Sequence, residues 1–200
     1  MQVFRYSIAN GELYPDDNGE VLVFVEGQHL LIKYMGRELN DLKFHLTIKE
    51  RALLEKVKMI SRSTGIEVDP TPALAYPGKS RTLMLNKLMG QIFEEFVYRI
   101  LANKFQVQRQ VKAFESLYNF THRRYHNTPD ILVEGRIPVE AKVSFYNYEQ
   151  ISEYSKKYRV GAVVLAYSSN CYVPSGWRYF TNFLADQRHL LNWLDSVLHA

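Results

Sequence analysis

The stretch Val160-Gly-Ala-Val-Val-Leu-Ala-Tyr167 is apolar at odd and even positions alike and holds no charge. A strand sends successive side chains to opposite faces, so a strand of this composition has to be covered on both sides. It marks a central, buried strand and selects an α/β architecture with helices on the faces of the sheet. Elements are legible around it. The pattern Leu85, Leu88, Met89, Ile92, Phe93, Phe96, Val97, Ile100 predicts a helix from about Thr82 to Lys104. A strand is expected near 105–114, then a polar and aromatic loop over 115–128. Two short strands, Ile131–Glu134 and Ile137–Val143, are joined across Gly135. A helix over about Tyr148–Tyr158 precedes the apolar strand, and an amphipathic helix over about Thr181–Leu198 closes the chain. The order is αβββαβ, then α.

The N-terminal part reads differently. Val21-Leu-Val-Phe-Val25 and His29-Leu-Leu-Ile-Lys-Tyr34 flank Glu26-Gly27-Gln28 and predict a hairpin. Asp17-Asn18-Gly19 marks an earlier turn. Thr47 followed by Glu50 is a capping-box pattern opening a helix from Ile48 to about Ser61, with Leu53, Leu54, Val57 and Ile60 on one stripe and Gly65 as its stop. Residues 69–80 hold three of the seven prolines. Proline removes a donor and disfavours helix before it, so this segment is expected as a linker. The expected organisation is a β-rich module with one helix over 1–68, a linker over 69–80 and a main domain over 81–200.

Composition excludes several classes. Of the 200 residues, 46% are hydrophobic and 23% charged, which is ordinary for a globular protein. A single cysteine, Cys171, excludes an internal disulfide framework and a four-cysteine zinc or iron–sulfur site within one chain. No apolar run approaches the roughly 20 residues of a membrane span, and Met1-Gln-Val-Phe-Arg lacks the apolar core of a signal peptide. A soluble, intracellular protein without a membrane partner is expected. Residues 1–68 carry 9 Lys+Arg against 10 Asp+Glu, a net of −1, whereas residues 69–200 carry 16 against 11, a net of +5. The basic two thirds would attract polyanions such as nucleic acid.

The pattern richest in chemistry is Thr128-Pro-Asp130, nine intervening residues, then Glu140-Ala-Lys142. Glu140 and Lys142 stand at i and i+2 on one strand and share a face. If the hairpin loop is 134–136, paired residue numbers sum to 270 and Asp130 lies opposite Glu140. Two carboxylates and an ammonium then converge. Two acidic oxygens suit a hard divalent cation such as Mg²⁺, and the lysine can orient water or offset charge on a phosphate oxygen. Those parts suffice for metal-assisted phosphodiester hydrolysis. The simpler alternative is a hairpin with a surface Asp and an ordinary Glu–Lys pair. The buried-looking neighbours argue against it, because buried charges are paired or bind metal.

Gly90-Gln-Ile-Phe-Glu94 precedes this pattern and Gln150-Ile-Ser-Glu-Tyr154 follows it, each pair of end residues one helical turn apart. With Pro129-Asp130, Glu140-Ala-Lys142 and the αβββαβ order, residues 90–167 resemble the PD-(D/E)XK nuclease superfamily. The Gln-x-x-x-Tyr element is similar to that of the RecB-type recombination nucleases, and Holliday-junction resolvases share the metal motif. The resemblance implies a restriction-endonuclease-like core, a mixed central sheet flanked by helices. It also implies Glu94, Asp130 and Glu140 as metal-linked carboxylates, with Lys142 as the catalytic lysine. Gln150 would support the site or touch DNA, and Tyr154 would pack against it, orient it or contact DNA. Mg²⁺ would be the cofactor, with Mn²⁺ able to substitute. The iron–sulfur subtype is excluded with only Cys171 present.

Further nucleic-acid contacts are expected from Arg123 and Arg124 at phosphates and from Tyr125, with Tyr118 and Phe120, on unpaired bases. Lys156 and Lys157, with Arg159, form a second basic group. On a helical wheel at about 100° per residue with Ile92 at zero, the apolar stripe centres near 80°, Glu94 falls at about 200° and Glu95 at about 300°. Glu94 shares its edge with the small Gly90 and is expected to face Asp130 and Glu140, leaving Glu95 to solvent or a partner. No Gly-x4-Gly-Lys-Ser/Thr pattern occurs, so no nucleotide cofactor is expected.

The expectation is a Mg²⁺-dependent DNA nuclease, preferably a structure-specific endonuclease of the junction or branch type. A resolvase acts on two strands and so implies a homodimer. Restriction-type or end-processing activity, action on RNA, and a non-catalytic nucleic-acid-binding or assembly role on the same fold are the alternatives.

Overall fold

The chain begins with six short strands, β1 (Gln2–Ala9), β2 (Glu12–Pro15), β3 (Val21–Glu26), β4 (His29–Tyr34), β5 (Arg37–Glu38) and β6 (Lys43–Phe44). In this computed structural model, which describes residues 1–109 and 129–200, they form one mixed sheet in the order β5-β4-β3-β1-β2-β6. Only the β2–β6 pairing is parallel. The expected hairpin is β3–β4, closed by Gly27-Gln28 with Glu26 opposite His29. Alternation along β3 buries Val21, Val23 and Val25 beside Tyr6, Leu13, Ile32 and Phe44.

Helix α1 (Ile48–Thr64) starts as its sequence dictates. The Thr47 hydroxyl accepts from Glu50 N–H, and the Glu50 carboxylate accepts from Thr47 N–H at 2.8 Å. It stops one turn beyond the expected Ser61, at Gly65, which takes a left-handed conformation.

The expected linker is not a free connector. Residues 69–80 contain the short helix α2 (Thr71–Leu74) and bury Pro72, Ala73 and Ala75. Arg81 is the reason. Its guanidinium is buried and donates to the carbonyls of Leu74 (2.7 Å), Tyr76 (3.0 Å) and His45 (2.9 Å) and to Glu50 Oε2 (3.2 Å). It also donates to the Tyr6 hydroxyl, which itself donates to Ala75 O. The prolines interrupt regular structure, but the carbonyls they leave exposed are the acceptors this arginine needs.

The long helix α3 (Lys79–Ala102) carries the division between two compact units, Met1–Ile92 and Phe93–Ala200. The second unit contains β7 (Val107–Arg109), β8 (Ile131–Val133), β9 (Ile137–Lys142), α4 (Tyr148–Lys157), β10 (Gly161–Leu165), β11 (Trp177–Phe180) and α5 (Arg188–Leu198). Its sheet has the order β11-β10-β9-β8-β7. The pairs β7–β8 and β8–β9 are antiparallel, and β9–β10 and β10–β11 are parallel. The chain is therefore mixed α/β, with two mixed sheets and five helices among the described residues. Ile131, Val133, Val139, Ala162 and Val164 share one core with Phe93, Val97 and Leu101 of α3 and with Leu190, Trp193 and Leu194 of α5. The opposite face of β10, Val163 and Leu165, is covered by Ile151 and Tyr154 of α4. All five residues of β10 are buried, as the two-faced apolar run requires.

Two elements depart from expectation. Strand β11 was not legible in Trp177-Arg-Tyr-Phe180, a run of four whose partner β10 is reached only across the loop 166–176. The final helix begins at Arg188 rather than Thr181, because the preceding residues follow the sheet: the N–H groups of Asn182, Phe183 and Leu184 donate to the carbonyls of Tyr167, Leu165 and Ala166. Among the described residues no helix is long and apolar enough to cross a membrane.

Candidate functional site

The hairpin β8–β9 turns at Glu134-Gly135, where both residues have positive φ (49° and 64°) and Arg136 N–H donates to Val133 O. With Val133 opposite Ile137, the loop is the three residues 134–136, two of them left-handed. Its register pairs Ile131 with Val139, Leu132 with Pro138 and Val133 with Ile137. Each pair sums to 270, the register expected from the sequence, and it sets Asp130 against Glu140 just past the last ladder pair.

The pleat decides which way the charges point. Val139 and Ala141 face the core beneath α3 and α5. Glu140 and Lys142 therefore face the other way, on the side of their register partners Val163 and Leu165, which is the α4 face. There the carboxylates brace the backbone of one another's strands. Glu140 Oε2 accepts from Asp130 N–H at 3.1 Å, and Asp130 Oδ2 accepts from Ala141 N–H at 3.0 Å. Lys142 Nζ lies 2.6 Å from Glu140 Oε1 and 3.6 Å from Asp130 Oδ2. Both carboxylates have no solvent exposure, whereas the Lys142 side chain keeps 22%.

Burying an ion costs several kcal/mol unless partners replace its water. Here backbone N–H groups and one ammonium do so. Burial acts to lower the Lys142 pKa, but the charges of Glu140 and Asp130, the hydrogen bond to Glu140 and the charge of Glu94 outweigh it. The lysine is thus held above its ordinary value of 10.5 and stays protonated.

Glu94, half-buried on α3, is close enough to act on Lys142 electrostatically. Among the described residues, however, no group of three or more His, Cys, Asp and Glu side chains is gathered to hold an ion. Asp130 and Glu140 form the close pair, and Glu94 stands further off. Glu95 is turned to a different neighbourhood: Arg99 Nε donates to it at 2.7 Å, and so does Arg109, whose guanidinium lies 3.9 Å from the centre of the Tyr98 ring.

Gln150 lies in the first turn of α4, at the end of the sheet where Lys142 closes β9. Its amide donates to the Tyr154 hydroxyl at 2.7 Å. Tyr154 cannot be a nucleic-acid contact as expected, since its ring is buried and lies against Trp177, with centroids 6.5 Å apart. An aromatic ring one turn into an amphipathic helix takes the core position when the stripe runs through it. Lys156 and Lys157 are exposed, as nucleic-acid contacts must be, but occupy the last turn of α4, about 10 Å along the axis from Gln150 at 1.5 Å per residue. The crossover carries them toward the start of β10, away from the Lys142 end. Arg123, Arg124 and Tyr125, with Tyr118 and Phe120, lie outside the described residues.

Sequence reasoning missed Phe145 and Tyr172, on the two loops that leave the same end of the sheet as Lys142, and Tyr148 at the start of α4, all large aromatic side chains left exposed. The donor set of the pair is two hard carboxylates, the chemistry Mg²⁺ and Mn²⁺ accept, so these residue types fit such an ion, and Asp130 and Glu140 would hold it. The Lys142 ammonium lies against the same oxygens and would share them or move aside. No protein-family model, curated protein or solved structure matches this chain.

Proposed function

We propose that the chain is a metal-dependent nuclease that hydrolyses phosphodiester bonds in DNA, built on a restriction-endonuclease-like core. The observation that carries this reading is the convergence of Asp130, Glu140 and Lys142 at one point of a mixed sheet. Strand order, the α4 crossover and Glu94 on the preceding helix support it. Asp130 and Glu140 would hold Mg²⁺, which when bound supplies Lewis acidity and an activated water. Lys142, kept protonated by its neighbours, would leave the carboxylates as the ion enters and offset charge growing on a non-bridging phosphate oxygen. Glu94 adds negative charge that acts on Lys142 and favours a cation there. A branched substrate with two strands to cut calls for two copies of the site, hence a homodimer.

The test is a panel of linear, flap, Y-form and four-way-junction DNAs and matched RNAs, each with Mg²⁺ and with EDTA. Asp130→Ala should abolish cutting while leaving affinity largely intact, because affinity comes mainly from phosphate contacts. Asp130→Ala cutting as fast as wild type would remove the metal-site assignment.

One observation favours a second reading, a nucleic-acid-binding or assembly protein without hydrolysis: both carboxylates are closed to solvent beneath Lys142. Binding without Mg²⁺-dependent cleavage on every substrate of the panel would select it.

A further inference from the structure

We propose that the loops leaving the carboxyl ends of β9 and β10 form a stacking platform for unpaired nucleobases, with Phe145 and Tyr172 as its principal faces. The inference rests on the nucleic-acid reading of the adjacent site and names the part of the substrate that reaches it. Because β9 and β10 are parallel, with Lys142 opposite Leu165, the loops 143–147 and 166–176 emerge from the same end of the sheet. They are tied together there: Tyr172 N–H donates to the Tyr146 hydroxyl, and Cys171 is buried with Ile151, Tyr154 and Leu165. On this anchored support Phe145 is 89% exposed, Tyr172 80% and Tyr148 49%. Packing does not account for these rings, which are left in water.

The chemistry of the surface favours bases as the occupant. Residues 143–148 and 166–176 contain no charged side chain, so nothing in them repels a phosphate backbone, and Ser144, Asn147, Ser168, Ser169 and Asn170 supply hydrogen-bonding groups between the rings. Phe145 follows Lys142 by three residues, on the loop that leaves the end of β9 where the cation proposed to face phosphate stands. Aromatic faces bind bases whose own faces are free, and in a duplex those faces are already stacked. The platform therefore directs the site to flapped, frayed or branched nucleic acid rather than to continuous duplex.

The test is anisotropy in EDTA with the full chain, using a labelled poly-dT strand and a duplex of equal length. Phe145→Ser with Tyr172→Ser should weaken single-strand binding by about 10-fold for each ring lost, from the usual stacking contribution per base, with duplex binding unchanged. Phe145→Trp should retain single-strand affinity, and its exposed indole should be quenched on binding. Equal loss on both substrates, no loss on either, or an unquenched Trp would overturn the proposal. So would a change of oligomeric state in sedimentation without a change in binding, which would make the surface an interface with another copy. The assay needs no cleavage. If single strands bind and quench while no substrate is cut with Mg²⁺, the platform stands and the hydrolytic reading falls. If wild type and the double variant cut branched and duplex DNA alike, the platform falls and hydrolysis stands.

Discussion

Replacing Lys142 by Met removes the ammonium and keeps most of the apolar stem. In the wild-type protein that ammonium lies 2.6 Å from Glu140 and 3.6 Å from Asp130, whose carboxylates are closed to solvent. The variant leaves two negative charges facing one another with backbone N–H groups to balance them. Removing one partner of a buried pair costs about 3–5 kcal/mol. The partial exposure of Lys142 sets the lower end, about 3 kcal/mol. For a chain of this length about 2–4 °C accompanies each kcal/mol, so the loss should be about 6–12 °C in EDTA. The chain has two units and need not unfold in one step, but both of its tryptophans, Trp177 and Trp193, lie in the second unit. Tryptophan emission therefore reports on the unit that holds the site. Mg²⁺ should recover much of the loss, since an ion at a hundred times its Kd stabilises by about 2.7 kcal/mol, and wild type should gain less. The pH dependence has a definite sign. Burial alone would lower the Lys142 pKa, yet neighbouring negative charges hold it above 10.5. Its contribution is then complete below pH 10.5 and is lost only as pH rises through the folded value. The gap between wild type and variant should be constant at neutral and mildly alkaline pH and close above that. A variant that melts within about 1 °C of wild type in EDTA, or that Mg²⁺ stabilises no more than wild type, would refute the buried-triad argument.

Arg81→Met should destabilise the first unit by about 3–5 kcal/mol, because Glu50 and several carbonyls lose a buried donor. Hydrogen exchange of residues 1–92 would show it, with tryptophan emission little changed. Gly161→Ala should cost about 1–3 kcal/mol by overpacking, since an added Cβ would stand 2.5 Å from the Trp177 ring. A tryptophan-detected urea midpoint equal to wild type would contradict that packing. Glu94→Gln should slow Mg²⁺-dependent cleavage strongly and Glu95→Gln should not; equal rates for the two variants would remove Glu94 from the site.

Much of the site was legible because its determinants are local. Glu140 and Lys142 share a face by the two-residue period of a strand, and Gly135 with its neighbours sets a turn that fixes the register to Asp130. Thr47 and Glu50 announced a helix start three residues apart, and the two-faced apolar run announced an internal strand. Each of these signals lies within one turn or one hairpin. What the sequence alone left open depends on contacts between distant residues. The prolines of 69–80 read as a linker until Arg81, 75 positions from Tyr6, gathers the carbonyls of Leu74 and Tyr76. Trp177–Phe180 becomes a strand because β10 offers it a parallel edge, and that edge displaces the start of α5. Tyr154 and Lys156 are two residues apart on one helix, yet one ring is buried against Trp177 while the other side chain is in water. The helical period places them on different faces, but only packing on the sheet decides which face is covered. Closure of the carboxylates beneath Lys142 is likewise a tertiary outcome: residue types supply the charges, and the layering of α4 over one face of the sheet decides how much water they keep.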